Sequence, residues 1–164
     1  MRISFDLDEV LFVDPRRYEI EPVPSWLHGN LFRERLRKGT VRLIKELQGR
    51  GYEVWIYTSS YRSERYLNLL FGAYGIRFDG IVNAPRHNRE VQKGHRQILP
   101  QKMPARYQIS LHIDDEENII KSAPSFGYRA FRVYEPDDNW VEKVLDEAER
   151  IKKLEERIKA LRKG

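Results

Sequence analysis

Five short apolar segments limit what this chain can become. They are RISFD (2–6), EVWIYT (53–58), FDGIVNA (78–84), QISLHID (108–114) and YRAFRVY (128–134). Each is rich in β-branched and aromatic residues, as strands are, and no tight-turn signal joins any two of them into a hairpin. Between them lie segments with helical patterning. Leu36, Val41, Leu43, Ile44 and Leu47 form an apolar stripe in 31–49; Gly39 interrupts it, so the helix is expected to start near Thr40 as N-cap. Residues 59–75 and 117–127 read as further helices closing at glycine, and 137–163 as one long amphipathic helix with Asp137 and Asp138 at its start. Strands alternating with helices predict an α/β fold: a doubly wound, Rossmann-like, mainly parallel five-stranded sheet with helices on both faces.

The 164 residues suit one domain, with residues 1–136 as the α/β core and 137–164 as a C-terminal amphipathic helix. Apolar positions 144, 148, 151, 154, 158 and 161 give that helix a heptad-like seam. The seam suits packing on the core or pairing with a second copy as a homodimer. Two stretches are irregular: 13–30, with three prolines and a glycine, and the basic connection 85–106. The chain has no cysteine, which excludes disulfides and thiolate chemistry and fits a cytoplasmic location. No signal peptide is visible, and no apolar run is long enough to span a membrane. The net charge of +5 fits either a solvated surface or an anionic partner.

Polar residues interrupt the pattern at three strand ends. Strand one runs into Asp6 and Asp8, strand two into Thr58, Ser59 and Ser60, and strand four into Asp114 and Asp115. Ligands of open α/β sheets bind at the carboxyl ends of the strands, where strand order reverses. If strands one, two and four are neighbours, four carboxylates meet in one crevice. Their mutual repulsion calls for a hard divalent cation with oxygen ligands, and Mg2+ is the usual one. Each cluster also has a plain reading as a helix cap or turn. The four histidines, His28, His87, His95 and His112, show no metal-ligand spacing, and His112, inside a strand, reads as structural.

The sequence resembles the haloacid dehalogenase-like (HAD) superfamily of phosphohydrolases over roughly residues 1–134. FDLDEV, VWIYT and SLHIDD match three of its motifs in order, with a lysine upstream of the last. The resemblance implies a Mg2+-dependent phosphomonoesterase working through an aspartyl-phosphate. Asp6 would be the nucleophile, and Asp8 the general acid and then base, with a raised pKa. The ion would be held by the Asp6 carboxylate, the Asp8 backbone carbonyl and Asp115, with Asp114 orienting a metal water or the lysine. Thr58, with the amides after it, would bind phosphoryl oxygens, and Ser59, Ser60 and Arg62 would join the substrate site. The lysine is Lys102, directly before strand four, or Lys93 further upstream; Lys102 is preferred.

The resemblance also implies a minimal cap, the loop 13–38 with Arg16, Arg17, Tyr18, Trp26 and His28. An open crevice of this kind would admit a phosphorylated small molecule, a nucleotide or a macromolecule. The loop's aromatic and basic residues either stack a base or contact phosphates, or Trp26, Leu27, Leu31 and Phe32 simply pack the loop onto the core. Two other roles stand beside the enzyme: a non-catalytic binding or regulatory protein on the same fold, and nucleic-acid binding through the loop 85–106.

Overall fold

The computed structural model of the chain describes residues 1–24, 32–134 and 136–162. Five parallel strands form one sheet: β1 (Arg2–Phe5), β2 (Glu53–Tyr57), β3 (Gly80–Val82), β4 (Ile109–Asp114) and β5 (Arg129–Arg132), in the order β3-β2-β1-β4-β5. Phe5 registers with Ile56 on one side and Ile113 on the other, so the carboxyl ends of β2, β1 and β4 lie in line. The order reverses between β1 and β4, and the site expected from the sequence falls there.

Alternation along the strands makes two unlike faces. Ile3, Phe5, Val54, Ile56, Leu111 and Ile113 belong to the main apolar core. Helices α1 (Thr40–Gly49), α2 (Glu64–Ala73) and α5 (Trp140–Leu161) supply much of the rest, through residues such as Leu43, Phe71 and Val144, and loop residues such as Leu7, Leu11 and Leu36 complete it. The opposite residues are more polar: Ser4, Tyr57 and His112 are fully buried beneath the connection from β3 to β4. This connection holds α3 (Ala84–His87), a π-helical turn (Asn88–Gln92) and a 3-10 turn (Pro104–Tyr107); α4 (Glu117–Ser122) links β4 to β5.

Helix boundaries depart from the sequence reading at several points. Residues 32–39 are not helical. Phe12 and Leu36 form an antiparallel bridge, as do Ile20 and Arg37, so the described parts of the loop 13–38 run back beside themselves. Gly39, not Thr40, caps α1, with φ of 91° and no side-chain cap bond, and Thr40 is its first helical residue. Helix α2 starts only at Glu64, where Ser63 Oγ accepts from the Tyr66 amide. Helix α5 starts at Trp140, while Asp137 accepts from Asn139 N and from Lys143 Nζ. Trp26, Leu27, His28 and Leu31, expected to pack or to bind, lie outside the described residues; Phe32 is buried and meets Tyr66 edge-on, with ring centroids 5.3 Å apart.

The seam of α5 divides. Val144, Ala148 and Ile151 are buried in the core, whereas Leu161 is 83% exposed. Packing on the chain's own core therefore uses the first half of the seam. Arg37, itself buried, fastens the helix start: its guanidinium donates to the Tyr134 and Asp137 carbonyls and lies 4.8 Å from the Trp140 ring. Trp140 Nε1 donates to the Lys38 carbonyl at 3.0 Å.

Gly39 sits where α1 and α5 come closest. A Cβ there would lie 2.6 Å from Val141 Cγ2, and the backbone is in the left-handed region. Gly39→Ala is expected to cost about 1–3 kcal/mol through overpacking. Gly49→Ala, at a helical position with open space around it, is expected to be neutral or stabilising. Urea unfolding of the two variants measures the difference.

Candidate active site

Asp6 extends β1 by one residue, its amide donating to the Ile113 carbonyl at 2.9 Å. Its carboxylate therefore stands at the crevice between β1 and β4, beside Asp114 and Asp115. One oxygen from each of these three acids can be chosen so that all lie within 4.8 Å of one another. Asp6 and Asp114 are buried and Asp115 is half-buried.

Lys102 enters this cluster from the β3–β4 connection. It is 1% exposed, with Nζ 2.6 Å from Asp114 Oδ2 and 3.0 Å from Asp6 Oδ1. The contact with Asp6 lacks hydrogen-bond geometry, so the attraction there is electrostatic and Asp6 Oδ1 is left without a hydrogen bond. Met103 N donates to the Tyr57 hydroxyl at 2.9 Å, and that hydroxyl shares a 2.6 Å hydrogen bond with His87 Nδ1. These bonds pin the chain next to Lys102 to the end of β2. Of the two candidate lysines, the structure brings Lys102 to the acids; Lys93 is on the exposed surface.

Asp114 is saturated with partners. Oδ2 bonds Lys102 and His112 Nε2 (2.8 Å), and Oδ1 accepts from Glu116 N at 2.9 Å. His112 Nδ1 in turn meets Ser4 Oγ at 2.8 Å. His112 thus supports the site directly, more than its reading as a structural residue implied. Its signal in the sequence was period two: His112 precedes Asp114 as Ser4 precedes Asp6, polar pairs on one face of apolar strands.

The charges respond to this packing. Burial raises the Asp6 pKa, and the nearby Asp114 charge adds to the rise, against the opposing pull of Lys102. Asp115 is raised by burial and by Asp114. Burial alone would raise Asp114, but His112 and Lys102 outweigh it and hold the carboxyl well below the usual range. Lys102 is raised: its burial penalty is outweighed by Asp6 and Asp114.

The donor set fits a divalent cation. Three carboxylates face one lysine, a surplus of two negative charges when all are ionised, and the buried Asp6 Oδ1 has only the Lys102 ammonium beside it. Asp6 and Asp115 have oxygens free to bind an ion; Asp114 is committed to Lys102 and His112.

Asp8 stands apart from the cluster. Val10, Leu11 and Phe12 amides converge on the Leu7 carbonyl, and Glu9 takes a left-handed φ of 58°, so the chain turns sharply just past Asp8. The Asp8 side chain is exposed and held by Arg62, two bonds of 2.9 Å. Arg62 also donates to Glu34 at 2.8 Å, and Glu34 accepts a short bond from the Tyr66 hydroxyl. The expected substrate contact of Arg62 is thus taken up by Asp8 and Glu34. No sequence signal marked Glu34, whose partners arrive from α2 and the turn before it.

Thr58 is buried at the end of β2, with its amide donating to the Val82 carbonyl and its Oγ1 accepting from Ser60 N at 3.2 Å. Its hydroxyl proton remains available to an anion. Ser60 Oγ is buried without a hydrogen bond among the described residues, and Ser59 is exposed.

The comparisons with known proteins agree with this fold. No family model matches the chain, and no curated protein matches it. Among solved structures, a HAD-superfamily hydrolase of subfamily IA from Geobacter sulfurreducens superposes with a TM-score of 0.56 at 14% identity, covering 88% of this chain and 97% of its own. The D,D-heptose 1,7-bisphosphate phosphatase from B. bronchiseptica, complexed with magnesium and phosphate, gives 0.50 at 16% identity, covering 80% and 79%. The Pnkp1/Rnl/Hen1 RNA repair complex gives 0.53 at 15%, covering 80% of this chain and 42% of that one. The chain has the HAD-like fold. No described helix is long and apolar enough to cross a membrane.

Lys102→Met would leave Asp6 and Asp114 facing each other without compensation. The expected loss in metal-free buffer is about 3–5 kcal/mol near pH 7. It shrinks on acidification, because protonating either carboxylate removes the uncompensated charge. Chemical denaturation near pH 7 and near pH 4.5 measures both values.

Proposed function

We propose that the protein is a Mg2+-dependent phosphomonoesterase acting through an aspartyl-phosphate on Asp6. The observation that carries this reading is the meeting of Asp6, Asp114 and Asp115 with the buried Lys102 at the strand-order reversal. The phosphatase and the HAD-superfamily hydrolase among the structural neighbours support it through the shared fold.

Asp6 and Asp115 would hold the ion, and Asp114 would keep Lys102 in place. The ion supplies charge neutralisation for an incoming phosphate dianion. Lys102 contributes a fixed positive charge beside the nucleophile, and Thr58 offers its hydroxyl to a phosphoryl oxygen. One Asp6 oxygen attacks phosphorus, the ester P–O bond breaks, and the leaving oxygen takes a proton from Asp8. Asp8 then takes a proton from water as the water oxygen attacks phosphorus, and the bond to Asp6 breaks, releasing inorganic phosphate. Before this cycle Asp8 must part from Arg62.

That ion pair is also the observation that favours the second reading, a non-catalytic protein in which Arg62 keeps Asp8 out of use. The experiment that separates the two is turnover of a broad phosphate-ester panel with Mg2+, beside Asp6→Asn. The enzyme reading expects activity in the parent chain, lowered about 10³-fold or more in the variant. Equal activity in both, or none across the panel, would remove it.

Metal binding should show the pH dependence of its ligands. Asp6 and Asp115, with raised pKa values, favour the folded metal-free protein at low pH, and this contribution fades as pH rises through their folded-state values. Over the same window the carboxylates become competent ligands. The Mg2+-induced rise in Tm is therefore expected to be larger near pH 7.5 than near pH 5, and to shrink in Asp115→Asn. Differential scanning calorimetry with and without Mg2+ reads this directly.

A further inference from the structure

We infer that a cleft beside the phosphate-binding turn receives the nucleobase of a nucleotide substrate, so that the phosphate esters this protein hydrolyses are nucleotides. The inference rests on the phosphatase reading above and names its substrate class.

The cleft is lined by Ser59, Tyr61, His87, Asn88, Ile98 and Gln101, among others. Its position is fixed by chain connectivity. Ser59 follows Thr58, and Gln101 precedes Lys102, so two lining residues each stand one step, about 3.8 Å between Cα atoms, from a group of the catalytic centre. The cleft therefore borders Thr58 and Lys102, where the phosphate would sit.

The lining has the chemistry of base recognition. Tyr61 is 75% exposed and Ile98 is 95% exposed, a wide aromatic face and an aliphatic one without cover in one cleft. Stacking on such surfaces tolerates any base, since every base has a π-face. Asn88 and Gln101 are exposed, and neither side-chain amide has a hydrogen bond among the described residues. A carboxamide can pair donor and acceptor with a base edge. His87 is held at Nδ1 by Tyr57, so the cleft wall is fixed to β2.

The charge distribution agrees. The connection 85–106 contains six Lys and Arg residues against one acid, Glu90, which equals the whole net charge of +5; the rest of the chain is balanced. Lys93 and Arg96, on the loop between Gln92 and Ile98, are exposed and have no ion pair among the described residues. This loop is built, not slack: Gln92 Oε1 accepts from Leu99 N at 2.8 Å, and its amide donates to the Gln97 carbonyl at 3.0 Å. A cationic rim next to a stacking cleft suits either a free nucleotide or the phosphorylated end of a strand, and the test separates these sources.

The experiment compares ribose 5-phosphate, nucleoside monophosphates and short oligonucleotides with a terminal phosphate, using the full chain with Mg2+. The expected result is a KM for nucleoside monophosphates at least about tenfold below that for ribose 5-phosphate. Tyr61→Ala should raise the nucleotide KM about 5- to 100-fold while leaving ribose 5-phosphate unchanged, and Tyr61→Phe should retain the preference. Equal KM values for sugar and nucleotide, or a Tyr61→Ala effect shared by both, would overturn the inference. Lys93→Ala with Arg96→Ala should lower affinity for the oligonucleotide and flatten its salt dependence if strand ends are the source, and leave mononucleotides unaffected in either case. A second readout stands apart from turnover: titrating adenosine and cytidine, which carry no phosphate, into Asp6→Asn and following the Tyr61 ring and Ile98 methyl NMR signals. Shifts there without any phosphatase activity would support the cleft and sink the enzyme reading; turnover without shifts or nucleotide preference would do the reverse.

Discussion

A buried ammonium between two carboxylates organises this protein. Lys102 is 1% exposed, and a lone charge in such a place would be expelled or neutralised. It persists because Asp6 and Asp114 lie within 3.0 Å on either side, and because Asp114 is itself held by His112 and the Glu116 amide. The dependence is mutual: without the lysine, two carboxylates from adjacent strands would repel in a crevice with little water. The ends of β1 and β4 and the β3–β4 connection are thus coupled by one ion-pair cluster. Coulombic attraction there has to exceed three desolvation costs, which only close geometry and the added hydrogen bonds allow.

The division of the sheet into an apolar and a polar face follows from the same requirement. The main core, under α1, α2 and α5, is aliphatic and aromatic, and it supplies the hydrophobic burial that stabilises the domain. The opposite face carries Ser4, Tyr57 and His112, whose polar atoms need partners once covered. They find them in one another and in the connection: Ser4 with His112, His112 with Asp114, Tyr57 with His87 and Met103. A polar network of this kind fixes positions more narrowly than apolar contact does, because each hydrogen bond has a direction. The connection from β3 to β4 therefore delivers Lys102 at a defined height in the crevice although it contains little regular secondary structure.

The exposed acid follows a different rule. Asp8 lies two residues from Asp6, yet the tight turn over Leu7 to Phe12 separates them into different environments. Asp6 is buried against a lysine; Asp8 reaches solvent and meets Arg62, which also binds Glu34 from the loop 13–38. The loop and the acid are thereby linked through one guanidinium, so a movement of either is felt by the other. Arg62 is well suited to the role because its planar fork can hold two carboxylates at once.

The strands, their parallel arrangement and the acids at their ends were legible in the sequence, because apolar β-branched runs and the absence of hairpin turns report on local preference and on burial. The sequence favoured Lys102 over Lys93 without deciding between them, since either lysine precedes β4 and the hydrogen bond of Met103 N to Tyr57 is what holds Lys102 at the crevice. The pairing of Arg62 with Asp8 and Glu34 was not legible at all, as these acids lie 54 and 28 positions from it and make no local pattern. The start of α1 was legible near Thr40, whereas α2 and α5 begin at Glu64 and Trp140, later than 59 and 137, because the polar residues before them form turns rather than a first helical turn. By itself the sequence determined which residues lie at strand ends, through periodicity, and that several would be acidic. Which of those acids are neutralised, and by which cation, was decided only by tertiary structure, because charge compensation depends on distance in space and the partners are remote along the chain.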